Sequence, residues 1–204
     1  MKEFLGSRLD SEFRLYFIDN ADHGSDTVGP LNGQIVDQGR SPARLVAYRP
    51  VLESVLLDLV AWVEQGRPPA ASTRYKVDED GQVQLPAYAF LRRGIQPVVH
   101  LRVGGGERLE VAVGEPVEFS AYVGTPDNAG EIVTTEWDFE GVGDYPVAET
   151  LRTPRRSLFL RATHTFSKPG TYYPVLRVSS QGESSAGTRW ARVANLDRVR
   201  VVVE

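Results

Sequence analysis

The strongest constraint on the fold of this chain is an alternation of apolar and polar residues that begins near Val98. Residues 108–113 and 117–122 alternate in this way, and a period of two is typical of strands that bury one face. The same pattern predicts further strands at residues 132–139, 157–166, 172–179 and 199–203. Roughly six or seven strands in about 105 residues, separated by Gly, Pro and Asp turns, predict an all-β sandwich.

Residues 1–66 show a different pattern, in the order helix, strand, loop and helix. The run Arg14-Leu15-Tyr16-Phe17-Ile18 is almost continuously apolar, which is typical of a strand buried on both faces of a mostly parallel sheet. A helix is predicted over residues 48–65, because apolar residues recur at helical spacing and Gly66 ends the pattern. Its apolar face is wide, so we expect this helix to pack on a sheet. Residues 67–97 contain several turn signals and are interpreted as a closing extension.

The composition excludes several classes of function. The chain has 23 Lys and Arg against 27 Asp and Glu, a formal net charge of −4, and without a basic cluster we expect no nucleic-acid partner. There is no Cys, which excludes disulfides, thiolate metal sites and cysteine nucleophiles. No apolar signal-peptide core is visible after Met1, and Glu53 and Asp58 interrupt the longest apolar stretch, so no membrane partner is expected. Nothing in the sequence indicates a cofactor.

The second half contains two motifs that carry a family resemblance. EWDFEGVGD at residues 136–144, followed by HTFSKPGTYYPVLRV at residues 164–178, resembles the PKD (polycystic kidney disease) domain. The resemblance implies an Ig-like sandwich over residues 98–204 that acts as a spacer or binding module in extracellular proteins. Glu140 and Pro174 depart from the family pattern, and residues 145–156 look like an insertion. Trp137 is expected to face the core.

Acidic residues in the second half raise the question of calcium, which prefers oxygen ligands. Their spacing matches no calcium-binding loop, so solvated loop acids are the expectation and no metal site is assigned. The weak candidates are Asp127, Asp138 and Asp144. A calcium-dependent adhesion module therefore remains a third hypothesis.

The first half resembles the C-terminal part of an α/β-hydrolase. RLYFIDNADHG at residues 14–24 is similar to the last core strand and its loop, and LVAWVEQGRPP at residues 59–69 is similar to the final helix of the tannase and feruloyl-esterase branch. In that fold the catalytic histidine follows the last strand, so the resemblance, which covers residues 1–97, implies that His23 is the general base.

The rest of a catalytic triad is missing from this chain. No G-x-S-x-G motif occurs, and Asp22, Ser25 and Asp26 lie too close to His23 to form a relay, which needs separate elements. The histidines of the second half, His100 and His164, are assigned to the sandwich, and His164 is expected to be a structural hydrogen-bonding residue.

Two functions from different classes follow. The main hypothesis is the C-terminal segment of an α/β-hydrolase fold (helix, strand, loop, helix; residues 1–97) joined to an all-β PKD/Ig-like sandwich (residues 98–204). It would be a fragment of an exported serine-type carboxyl-ester hydrolase, inactive alone, whose partners are a missing N-terminal hydrolase portion and, for the parent enzyme, an ester substrate. The alternative is a non-catalytic β-sandwich that serves as a spacer or binding module for protein or carbohydrate. Either would lie in the extracellular space or the periplasm, by resemblance.

Overall fold

The structure is a computed structural model that describes residues 2–21 and 41–204. Within these ranges the helices are α1 (Lys2–Leu5), α2 (Leu9–Glu12), α3 (Arg49–Gln65) and α4 (Ala89–Arg92), with 3₁₀ turns at Gly6–Arg8, Ser41–Ala43 and Arg189–Ala191. The strands are β1 (Lys76–Val77), β2 (Val83–Gln84), β3 (Val98–Val103), β4 (Arg108–Val111), β5 (Pro116–Gly124), β6 (Glu131–Asp138), β7 (Val147–Arg155), β8 (Ser157–Thr165), β9 (Gly170–Tyr172), β10 (Val175–Gln181), β11 (Val193–Arg198) and β12 (Arg200–Val203).

The second half of the chain is a β-sandwich, as the alternation predicts. One layer is a four-stranded sheet in the order β11-β10-β6-β7, and the facing strands form two three-stranded sheets, β3-β5-β8 and β4-β12-β9. Strand β5 shows how the alternation produces a sandwich. Its odd-numbered residues from Val117 to Val123 are buried, while Glu118 and Ser120 are exposed. Side chains from all three sheets meet in one core around Phe119, Trp137 and Leu176. Trp137 therefore faces inward, as expected.

Two features of the second half differ from the expectation. Residues 145–156, interpreted as an insertion, contain β7, which pairs antiparallel with β6 at the edge of the four-stranded sheet. Strand β7 is exposed at almost every position, so its sequence carries no core-facing alternation. The strand predicted at residues 172–179 is divided into β9 and β10 around Pro174, because a proline has no N–H to donate to a sheet.

The helix predicted at residues 48–65 is confirmed as α3. Gly66 ends it in a left-handed conformation with φ of 66°, and its N–H donates to the carbonyl of Trp62 over 3.1 Å. The expectation that α3 packs on a sheet is only partly met. Val51 and Ala61 are buried, and the helix lies against the 3₁₀ turn Arg189–Ala191 and strand β11, at the end of the sandwich.

The strand predicted at residues 14–18 is wrong. This segment runs beside residues 72–73, where the N–H of Thr73 donates to the carbonyl of Leu15 over 2.9 Å, but it joins no sheet. A strand of a parallel sheet would be buried on both faces, whereas Leu15 is 36% exposed. The helix expected before it is broken between α1 and α2 at Gly6, whose φ is +52°. The described part of residues 1–97 therefore does not confirm an α/β-hydrolase segment.

Residues from both halves share two smaller apolar clusters. The first contains Val51, Ala70 and Ile95 with Val193 of the sandwich, and the second contains Val46 with Leu196. The division at residues 97 and 98 stays a prediction, and these clusters show that the two sides pack against each other. None of the helices in residues 2–21 and 41–204 is long and apolar enough to cross a membrane.

Candidate binding surface

The residue predicted as a general base, His23, lies outside the described residues, as do Asp22, Ser25 and Asp26. The role of His23 therefore stays a prediction.

The three calcium candidates lie in different surroundings. Asp138, at the end of β6, is 1% exposed, and its two carboxylate oxygens accept the N–H groups of Gly141 and Gly143 over 2.8 and 2.7 Å. Asp127 lies at the other end of β6 and pairs with Arg156, while Asp144 is exposed in the turn after Asp138. No group of three His, Asp or Glu side chains in the described ranges is arranged to hold a metal ion. Asp138 is thus a buried turn cap, where a solvated loop acid was expected.

His164 packs inside the sandwich. Its ring stacks on Phe139 with centroids 4.5 Å apart and meets the edge of Phe166 at 4.7 Å. The expected structural role fits this packing, but the expected hydrogen bond is not formed, because the buried Nε2 has no hydrogen-bond partner among the described residues. The carboxylate of Glu140, a position where the sequence departs from the family pattern, lies 3.7 Å from Nε2.

A row of aromatic side chains, half-buried at His100 and Tyr122 and exposed at Phe159, crosses the outer face of the sheet β3-β5-β8. Strand register places His100 beside Tyr122, and Tyr122 beside Phe159. The ring centroids of these neighbours are 6.4 and 5.1 Å apart, and Phe159 is 84% exposed. Because side chains alternate between the faces of a strand, the residues next to them, such as Leu101 and Ala121, point into the core.

The segment that carries α4 extends this row at one end. Tyr88 lies 5.8 Å from His100 and 5.8 Å from Phe90, measured between ring centroids. The imidazole Nε2 of His100 is hydrogen-bonded to the carbonyl of Ala87 over 2.8 Å, which ties the segment to the sheet. We call these five residues, Phe90, Tyr88, His100, Tyr122 and Phe159, the aromatic row.

A glycine permits this arrangement. Gly124 lies on the outer face at the end of β5, and a Cβ added there would meet the hydroxyl of Tyr122 at 3.1 Å and the Cβ of the buried Ala89 at 3.4 Å. A side chain at position 124 would therefore require the Tyr122 hydroxyl to shift by a few tenths of an ångström and would contact α4 at Ala89.

A second row, of polar side chains, runs beside the aromatic row on the same face. Register places Arg102 beside Ser120, and Ser120 beside Arg161, two residues along each strand from the aromatic positions. Arg102 pairs with Glu107 over 3.2 Å, whereas none of the ion pairs within the described ranges includes Arg161. Ser120 and Arg161 also line a shallow cleft of about 270 Å³, together with Gly104, Gly105, Glu118 and Thr163. We call Arg102, Ser120 and Arg161 the polar row.

A half-buried carboxylate, that of Asp197 on β11, is hydrogen-bonded to strand β3 of this sheet. Asp197 accepts the N–H of Leu101 over 2.8 Å and the N–H of Arg198 over 2.8 Å. Burial raises the pKa of its carboxyl, while these hydrogen bonds and the nearby His100 and Arg102 act in the opposite direction. Asp197 therefore holds β3 in place beside β11.

A larger cleft, of about 450 Å³, lies between α3 and the end of the sandwich. The hydroxyl of Ser184 donates to the carboxylate of Asp58 there, and Arg67 pairs with Glu183 over 2.9 Å at its rim. Burial raises the pKa of the Asp58 carboxyl. Asp58 and Arg67 each contact a residue of the sandwich, so these contacts explain the cleft as a junction between the two parts of the chain.

Sequence reasoning did not identify the aromatic row, although part of its signal was present. In β5, Tyr122 shares a face with Glu118 and Ser120, and in β8 Phe159 shares a face with Arg161. An aromatic residue on the polar face of an alternating strand is the signal. It could have identified each residue alone, but only strand pairing shows that they form one row.

The comparison with protein families agrees with the second half of the chain. Residues 100–193 match the PKD domain family, and no curated protein matches the chain. Among solved structures, the CARDB domain of PF1109 from Pyrococcus furiosus has 16% identity and a TM-score of 0.37, covering 53% of this chain and 95% of that one. The ASH/PapD-like domain 7 of human CEP192 has 12% identity and a TM-score of 0.33, covering 65% of this chain and 96% of that one.

Proposed function

We propose that this chain acts as a non-catalytic β-sandwich module that binds or spaces other components, and the premise is the PKD domain at residues 100–193. PKD domains are typically extracellular, so we also propose an extracellular location.

The observation that carries the proposal is the use of the family motif residues within the sandwich. Trp137 packs against Phe119 with ring centroids 6.2 Å apart, and Asp138 caps a turn with both carboxylate oxygens. His164 is stacked between aromatic neighbours. Each of these side chains supports the fold, and a rigid sandwich of this kind suits spacing or surface binding.

The esterase-like hypothesis for residues 1–97 receives less support. The family match begins at residue 100, and the strand that would precede His23 is not formed. A hydrolase origin, His23 as general base and a missing hydrolase portion as partner therefore remain predictions.

An activity assay tests whether this chain is non-catalytic. We expect the full chain, folded by circular dichroism, to hydrolyse p-nitrophenyl esters no faster than buffer does. The matched variant His23→Ala should give the same rate. Turnover by the full chain that His23→Ala abolishes would overturn the proposed function.

A further inference from the structure

We propose that the aromatic row is the ligand-binding surface of this module, and that its ligand is an extended acidic polysaccharide. This inference rests on the proposed function, because it assigns the site and the ligand class of the same non-catalytic module.

The aromatic row is continuous, and its two ends are exposed. Five rings follow one another with centroid separations of 5.8, 5.8, 6.4 and 5.1 Å, so they form a continuous line across the sheet. Phe90 and Tyr88 are 63% and 51% exposed at one end, and Phe159 is 84% exposed at the other. Contiguous exposed apolar surface of this kind marks an interaction site. A linear ligand with repeating units fits a linear row.

The aromatic row and the polar row together supply the two kinds of contact that a sugar ring needs. A sugar ring presents C–H groups on its faces, which pack on aromatic rings, and hydroxyl groups around its edge, which need hydrogen-bond partners. The aromatic row supplies the first, and the polar row with Glu118 supplies the second. An apolar protein partner would instead leave Arg102, Ser120 and Arg161 buried without hydrogen bonds, which is costly.

The charge of Arg161 in the polar row favours an acidic ligand. Arg161 lies on the open face and takes part in none of the ion pairs found in the described ranges, so a carboxylate of the ligand can pair with it. The chain as a whole has a net charge of −4, and Glu107 and Glu118 lie on or beside this face, which disfavours a polyphosphate backbone. Uronate sugars, with single spaced charges, fit this balance.

Contacts within the protein already hold the aromatic row in place. His100 is bonded to the carbonyl of Ala87, and the buried Ala89 sits over Gly124, so Tyr88 and Phe90 are fixed beside the sheet. A preformed surface loses little conformational entropy when it binds.

The experiment measures binding of the full chain to two acidic polysaccharides, polygalacturonate and alginate, and to two neutral ones, dextran and a soluble β-glucan, by calorimetry or affinity electrophoresis. We expect the acidic chains to bind. Phe159→Ala and Tyr88→Ala should each weaken that binding about fivefold to tenfold. Both side chains are exposed, so these variants should melt at the wild-type temperature.

Two further variants test the contribution of charge to binding and the specificity of the surface. Arg161→Ala should weaken binding of the acidic chains and reduce its sensitivity to salt between about 0.05 and about 0.5 M, because it removes a screened charge pair. The matched control is Trp190→Ala, an aromatic residue that is 67% exposed near α3 and away from this face, and it should leave binding unchanged.

The following outcomes would overturn the inference. Binding to none of the four polysaccharides, or binding that Phe159→Ala and Tyr88→Ala leave unchanged, would refute the site. Equal binding of neutral and acidic chains, or tighter binding of a single-stranded RNA or a proline-rich peptide, would refute the ligand class. None of these results involves ester turnover, so failure of this inference is distinguishable from failure of the proposed function.

Discussion

The turn after β6 depends on the buried carboxylate of Asp138, and removing that carboxylate is a direct test of its structural role. Each of its two oxygens accepts one backbone N–H, from Gly141 and Gly143. A hydrogen bond to a charged group contributes about 1.5–3 kcal/mol. Because both glycines are only partly buried, water can replace part of what is lost, and we take the lower end of the range. Asp138→Ala is therefore expected to lower the free energy of unfolding by about 3 kcal/mol.

A conservative variant is expected to lose about half of this unfolding free energy. Asp138→Asn keeps one acceptor oxygen and loses the other, so we expect about half the cost, roughly 1.5 kcal/mol. For a chain of this size 1 kcal/mol shifts the melting temperature by about 2–4 °C, which gives a decrease of about 6–12 °C for Ala and about 3–6 °C for Asn. Differential scanning calorimetry and urea denaturation measure both quantities.

The control lies in the same turn. Asp144 is exposed, so Asp144→Ala should change the free energy of unfolding by no more than about 0.5 kcal/mol. The reasoning is refuted if Asp138→Ala stays within that same margin, or if Asn costs as much as Ala. Repeating the melts with calcium tests the calcium candidates. A calcium-dependent rise in the melting temperature that both Asp138→Ala and Asp144→Ala remove would show that these acids bind the ion.

Two further predictions concern pH and backbone packing. Burial raises the pKa of the Asp58 carboxyl above its unfolded value of 3.8, so the folded state binds more protons and its stability decreases as the pH rises through the folded pKa. Asp58→Asn keeps an oxygen that accepts from Ser184. In urea denaturation, its free energy of unfolding should equal that of the wild type below pH 3.8 and exceed it at neutral pH. A difference between the two proteins that does not vary with pH would contradict this. Gly130 has φ of +90°, and a Cβ there would overlap the carbonyl of Gln181, so Gly130→Ala should cost about 2–4 kcal/mol. Gly187, with φ of +80° and open space around it, is the matched control, and Gly187→Ala should cost about 1–2 kcal/mol by the same denaturation measurement; equal costs would refute the packing argument.

The strands of the sandwich could be predicted from the sequence because each carries its own local signal. Val117, Phe119, Ala121 and Val123 alternate with polar residues and are buried in β5, as a period of two requires. The same local logic predicted α3 and its end at Gly66. Strand β7 could not be predicted in this way, because an exposed edge strand buries neither face and its sequence therefore shows no alternation.

The first half shows where local patterns mislead. The apolar run at residues 14–18 has the composition of a buried parallel strand, but such a strand exists only where neighbouring strands supply hydrogen bonds. In the structure this segment accepts a hydrogen bond from the backbone N–H of Thr73 and joins no sheet. Helix α3 likewise has apolar residues on more than one face, and only packing decided that Val51 and Ala61 are buried while Leu56 and Val63 are exposed.

By itself, the sequence determined the class of the second half, the order of most of its strands, and the motif that identifies a PKD domain at residues 100–193. These features follow from periodicity and turn residues, which act over a few neighbouring positions. Only the tertiary structure decided which strands pair, that Asp138 is a buried turn cap, and that Tyr88, His100, Tyr122 and Phe159 lie side by side in one row. The physical reason is strand register: it places side chains from distant parts of the chain side by side, and no local pattern contains that information.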